Sequence, residues 1–211
     1  MESLNLILFI SIVAPISMML FICKRRTRRI LFFLLAGVLV NLFCGELSGF
    51  IAGTAGLPME YLTVNITPTV EEICKAIPIL LYVFLSDSYD DSNLLECAIA
   101  VGVGFAVLEN AFILASNIEI VSIPLALIRG FGAGMMHGLT TLTVGYGMTF
   151  VHKRRKLFYT GSVALLGVAV MYHSLYNILV QSQYEIVGFV LPMVTFIPIL
   201  IVLLKTGKIG K

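Results

Sequence analysis

Eight ionisable residues lie inside stretches that are otherwise apolar: Glu46, Glu71, Glu72, Lys75, Glu109, Arg129, His137 and His173. A charge in hydrocarbon costs at least about 2.5–3.5 kcal/mol on insertion scales, so such groups face a protein interior and have partners. Their types permit water chemistry. Glu71 and Glu72 are adjacent acids, a pair that resists ionising together and suits proton exchange. His137 and His173, with the glutamates, are ligand types for zinc or another divalent metal, which lowers the pKa of bound water to about 7. Lys75 and Arg129 can neutralise or orient the acids.

Each motif also has a purely structural reading. Thr69 and Glu72 fit a capping box after Pro68, and acids near a helix start are favoured by its dipole. Lys75 lies four residues beyond Glu71, on the same helical face, and is expected to pair with it. That leaves Glu72, rotated by about 100°, as the uncompensated acid and the better proton acceptor. Glu109 can partner Arg129 on the next helix. Gly102 and Gly104 resemble a phosphate loop only superficially; inside an apolar helix they point to close helix packing. Gly130, Gly134 and Gly138 form a second small-residue stripe, expected to bring a neighbouring backbone close to His137. His173 and Asn177 share a face one turn apart. One intramembrane histidine reads as an interhelical hydrogen bonder; two beside three acids read as a site.

The elements that must hold these residues are membrane helices. The 211 residues are 59% hydrophobic and 12% charged, with mean hydropathy +1.00, against about 45–50% and about 25% in soluble domains. A soluble enzyme and a nucleic-acid binder are both excluded. A helical span needs about 20 apolar residues, and seven segments fit: 4–22, 30–53, 66–85, 93–117, 124–150, 157–180 and 186–204. The expected fold is all-α: a single polytopic membrane domain, 1–211, of about seven transmembrane helices. Twelve of the fourteen basic residues fall at 24–29, 153–156 and 205–211. Basic residues mark the cytoplasmic side, which puts the N-terminus out, the C-terminus in, and the acidic loop Asp87–Asp91 inside. The segment Met1–Ser3 carries no basic residue and the charges follow the apolar run, so the first span is expected to be retained rather than cleaved. Cys23, Cys44, Cys74 and Cys97 form no CxxC pair and are expected as buried free thiols.

Glu71-Glu72-x-x-Lys75, Phe105-x-x-x-Glu109-Asn110, His137 in a glycine-rich helix and His173-x-x-x-Asn177 occur in that order, one per span. This set resembles the PrsW family of intramembrane proteases, in the superfamily of the CAAX prenyl-protein proteases and bacteriocin-immunity-type membrane proteases. The resemblance runs from about Thr67 to Asn177 and implies a catalytic core at about 66–180. It implies peptide-bond hydrolysis in a membrane-embedded or membrane-anchored protein substrate, within a prokaryotic cell membrane. The implied catalytic set is Glu71, Glu72, Glu109, His137, His173 and Asn177. Glu72, Glu109, His137 and His173 are the implied metal ligands, and Lys75, Asn110 and Arg129 the supporting residues. Either a zinc-type ion or glutamate alone can activate the water, and the residues leave both routes open. Two other readings compete: a catalytically silent scaffold of the same fold, and a proton- or ion-coupled transporter. A transporter requires polar groups through the full membrane depth, whereas here the inner halves of the third to sixth spans are nearly free of charge.

Overall fold

The computed structural model describes residues 4–86 and 90–210, leaving aside the side chains of Met59 and Arg155. The readings placed on Met1–Ser3 and on Asp87–Tyr89 of the acidic loop lie outside the described residues. Long apolar runs with no water to satisfy their backbone must bond internally. The described chain accordingly folds into seven long helices: α1 (Leu4–Ile22), α2 (Arg25–Ala55), α3 (Thr67–Leu85), α4 (Asp91–Ser116), α5 (Ile123–Val151), α6 (Phe158–Val180) and α7 (Glu185–Lys205). No strand occurs among the described residues.

Five of these helices are long and apolar enough to cross a membrane: α1, α2, α4, α6 and α7. The remaining two, α3 and α5, carry Glu71, Glu72, Lys75, Arg129 and His137. Glu71, Glu72 and Lys75 interrupt α3, while glycine, threonine and His137 dilute the apolar character of α5. Each turns its polar residues into the bundle, among them Glu72, Lys75, His137 and Thr140, where they find protein partners instead of lipid.

The polar end of α3 is built differently from the expected capping box. A short helical turn, Met59–Tyr61, and a π-helical segment, Leu62–Ile66, run directly into α3. Thr69 therefore lies inside continuous helix, and its hydroxyl donates to the Asn65 carbonyl at 2.7 Å. It caps nothing, so capping is no explanation for Glu71 and Glu72.

Helix α4 is the central post, packed against α2 on one side and α5 on the other. Glycine permits both approaches. A Cβ at Gly104 would collide with the Leu34 carbonyl of α2, and one at Gly102 with the His137 carbonyl of α5. The stripe on α5 behaves otherwise: Gly130 and Gly134 face open space, and Gly138 meets side chains alone, the Phe196 ring and Val103, at ordinary contact distance. The close approach expected at His137 thus comes from Gly102 across the interface. Gly102→Ala is expected to force α4 and α5 apart, lowering stability by about 1–3 kcal/mol as overpacking does. The readout is thermal unfolding of purified protein in detergent, with Gly134→Ala as the unaffected comparison.

The basic segments meet at one end of the bundle. Arg26 forms a two-pronged bond to Glu96, at 2.6 and 3.1 Å, and Lys153 reaches Asp91 at 3.0 Å. The Gly210 amide donates to Glu96 at 3.0 Å, tying the chain end to the same place. Beneath the polar residues of α3 to α6, an apolar layer of Ile79, Val83, Leu94, Val144, Met148 and Ala169 fills the half nearer this basic end. Cys44, Cys74 and Cys97 are buried, Cys23 is half-buried, and all four are free thiols.

Candidate active site

The start of α3, the end of α4, the first half of α5 and the end of α6 lie at the end of the bundle away from the basic segments. They bring Glu71, Glu72, Lys75, Glu109, Arg129, His137 and His173 into one network, with Asn110 attached through Arg129. Lys75 and Glu72 are fully buried side chains paired at 2.6 Å. The Lys75 ammonium also donates to Nδ1 of His137 at 2.9 Å and to Oγ1 of Thr140 at 3.4 Å, and lies 4.9 Å from the Phe105 ring centroid. All three of its hydrogens are thereby used. Because Nδ1 of His137 accepts, its proton belongs on Nε2, which donates to Oε2 of Glu109 at 2.5 Å. The other oxygen of Glu109 lies 3.5 Å from Arg129.

The pairing of Lys75 with Glu72 corrects an expectation. Glu71 is not the lysine's partner; Glu72 is, three residues away instead of four. Both spacings place side chains as neighbours on a helix. The choice is made by α5, which holds the ammonium at His137 and Thr140. The expected uncompensated acid therefore changes from Glu72 to Glu71.

His173 reports the consequence. Its Nδ1 donates to Oε1 of Glu72 at 2.8 Å, which leaves the lone pair on Nε2. That lone pair faces Oε2 of Glu71 at 3.7 Å. The Glu71 oxygen is buried and has no hydrogen-bond partner. Two electron-rich atoms turned toward one another in a buried site call for a cation or a proton between them.

Ligand-type atoms of Glu71, His137 and His173 lie within 4.8 Å of one another, although both nitrogens of His137 are engaged by Lys75 and Glu109, which leaves Glu71 and His173 with the free ones. Mixed imidazole and carboxylate donors suit zinc. Glu72, bonded to the far nitrogen of His173, is the outer carboxylate that commonly orients a ligating histidine. The residues therefore fit a divalent metal, with Glu71 taking the place expected for Glu72. Glu72 itself has one oxygen engaged by both Lys75 and His173.

A cavity of about 650 Å³ opens onto this cluster, within the range of small-molecule and peptide sites. Glu71, Glu109, Arg129, His173 and Asn177 line it, while Glu72, Lys75 and His137 are not among its lining residues. Asn177 has its amide committed, donating to the Thr63 carbonyl at 2.9 Å in the π-helical segment. It braces the start of α3 against α6. Asn110 and Arg129 exchange bonds: the guanidinium donates to the Asn110 side chain at 3.2 Å, and the Asn110 amide to the Arg129 carbonyl at 3.3 Å. Glu46, another of the eight ionisable residues, is exposed and lines the same cavity. Tyr176 also lines the cavity and carried no recognisable signal in the sequence, where one more aromatic in an apolar helix reads as packing.

No curated protein and no solved structure matches the chain significantly. A family model described as PrsW family intramembrane metalloprotease does, and its match spans residues 16–203. That range takes in all four motif-bearing helices and most of the flanking ones, so the chain belongs to the PrsW family of intramembrane metalloproteases.

Proposed function

We propose that this protein hydrolyses a peptide bond in a membrane-embedded or membrane-anchored protein substrate, bound in the cavity above Glu71 and His173. All seven long helices cross the bilayer, with the N-terminus out and the C-terminus in, which sets the basic end in the cytoplasm and the site in the outer half. The observation that carries the reading is the unpartnered Glu71 oxygen facing the free nitrogen of His173.

Glu71 and His173 would hold a divalent metal, with His137, both of whose ring nitrogens are bonded to Lys75 and Glu109, standing beside it. When bound, such an ion polarises the peptide carbonyl and makes water nucleophilic near neutral pH. The remaining work falls to the chain. Glu72 fixes His173 through Nδ1, and Lys75 fixes Glu72 and His137. Among the three acids, Glu109 keeps the most exposed side chain, 22% against 9% for Glu71 and 0% for Glu72, so cavity water reaches it. Oε1 of Glu109, the oxygen not bonded to His137, accepts the water proton and later returns it to the leaving amine. Arg129 and Asn110 hold Glu109 and α5 in register. The apolar layer beneath the cluster closes the inner half, an arrangement that favours a hydrolytic pocket over a transport path.

Purified protein in liposomes, offered single-span peptides with and without a chelator, tests the proposal. Cleavage by the untreated protein is expected, with loss on chelation and recovery when a divalent metal is restored. Cleavage that resists chelation overturns the metal assignment, and no cleavage under any condition overturns the protease reading.

A further inference from the structure

Tyr176 follows His173 by three positions on α6, so the two side chains project from one face. It is 3% exposed and packs with Ala133 and Met136 of α5, its ring edge-on to Phe189 of α7 at 6.4 Å between centroids. Its phenol oxygen nevertheless has no hydrogen-bond partner. The residue lines the same cavity as Glu71, Glu109, Arg129 and His173. Buried tyrosine hydroxyls normally find a partner, and leaving one unpaired is destabilising. Phenylalanine would satisfy the packing alone. An unpartnered hydroxyl here fits a partner that arrives with the substrate.

We propose that the Tyr176 hydroxyl donates a hydrogen bond to the carbonyl oxygen of the scissile peptide and stabilises the oxyanion formed when water adds to it. The inference rests on the protease reading above and extends it to a residue outside the four motifs. As the water oxygen bonds to the carbonyl carbon, the C=O π pair moves onto oxygen and one water proton passes to Oε1 of Glu109. Tyr176 keeps its own proton; its hydrogen bond strengthens as charge develops. Collapse restores the carbonyl, breaks the C–N bond, and takes the Glu109 proton onto the amine nitrogen.

The test compares wild type, Tyr176→Phe and Glu71→Gln, all full-length in liposomes, on quenched fluorescent single-span peptides. Metal content and thermal unfolding are measured on the same preparations. Tyr176→Phe is expected to lower kcat by about 10²–10³-fold, as removal of one oxyanion donor does, with KM, metal content and unfolding temperature little changed. A kcat within about threefold of wild type overturns the inference. A loss of activity that tracks a loss of metal or of folded protein overturns it as well, since the hydroxyl would then be a ligand or a structural group. Cleavage by wild type that Glu71→Gln abolishes leaves the protease reading standing whatever Tyr176→Phe does. Absence of wild-type cleavage removes both.

Discussion

Glu71→Gln is expected to abolish both metal retention and turnover while the protein still folds, and Glu72→Gln is expected to do the reverse. Glu71 has a buried oxygen with no partner, turned toward His173 and lining the cavity. An amide in its place supplies a neutral and much weaker ligand, and turnover should fall by at least about 10²-fold. Glu72 is the counter-charge of a fully buried lysine. Removing its charge leaves the ammonium uncompensated, at a cost of about 3–5 kcal/mol. Glu72→Gln should therefore lower folding yield and unfolding temperature, while the folded fraction keeps activity within about 100-fold of wild type, the usual effect of weakening an outer partner of a metal ligand. Metal content by mass spectrometry, unfolding in detergent and peptide cleavage separate the two variants. The opposite order, with Glu72→Gln silent and well folded, would return the water-activating role to Glu72.

Glu109→Gln is expected to retain the metal and lose the reaction. Its carboxylate reaches both the cavity and His137, and Arg129 lies 3.5 Å from the oxygen assigned to proton transfer. Glutamine preserves shape and can still accept from His137, but it cannot take a proton from water. A fall in kcat of about 10²–10⁴-fold with little change in KM or metal content is the expected signature of a lost general base. Loss of metal together with activity would make Glu109 a ligand instead, as the family resemblance implies. Unaltered turnover would move the proton-accepting role elsewhere in the cluster.

The helices and their motif residues were legible in the chain because a membrane demands long apolar runs and penalises stray charge. The seven expected segments agree with the seven long helices to within a few residues at most ends. The one larger extension, at the start of α2, is a basic turn that apolar length alone does not register. Convergence of Glu71, Glu72, Glu109, His137 and His173 was also foreseeable. Antiparallel neighbours return their opposite termini to the same level, so the start of α3 and the end of α4 meet at one depth.

Partner choice was not legible. Gly102 and the Gly130–Gly138 stripe are equally plausible packing motifs, yet only Gly102 has a backbone carbonyl pressed against it. Asn177 shares a helical face with His173, but its amide reaches the Thr63 carbonyl, which belongs to a π-helical segment with no sequence signature.

What the amino-acid sequence determined by itself is the solvent, the number of long helices, the clustering of basic residues and the set of polar groups that had to meet. Each follows from a local property, either hydropathy over a window or the cost of an isolated charge. Tertiary structure decided which acid Lys75 neutralises and therefore which acid is left for chemistry. Helical spacing offers the lysine Glu71 and Glu72 almost equally. His137 and Thr140 on α5, with the Phe105 ring on α4, fix the ammonium where only Glu72 is paired with it. Those contacts come from residues 30 to 65 positions away in the chain, and no local pattern around Glu71 encodes them.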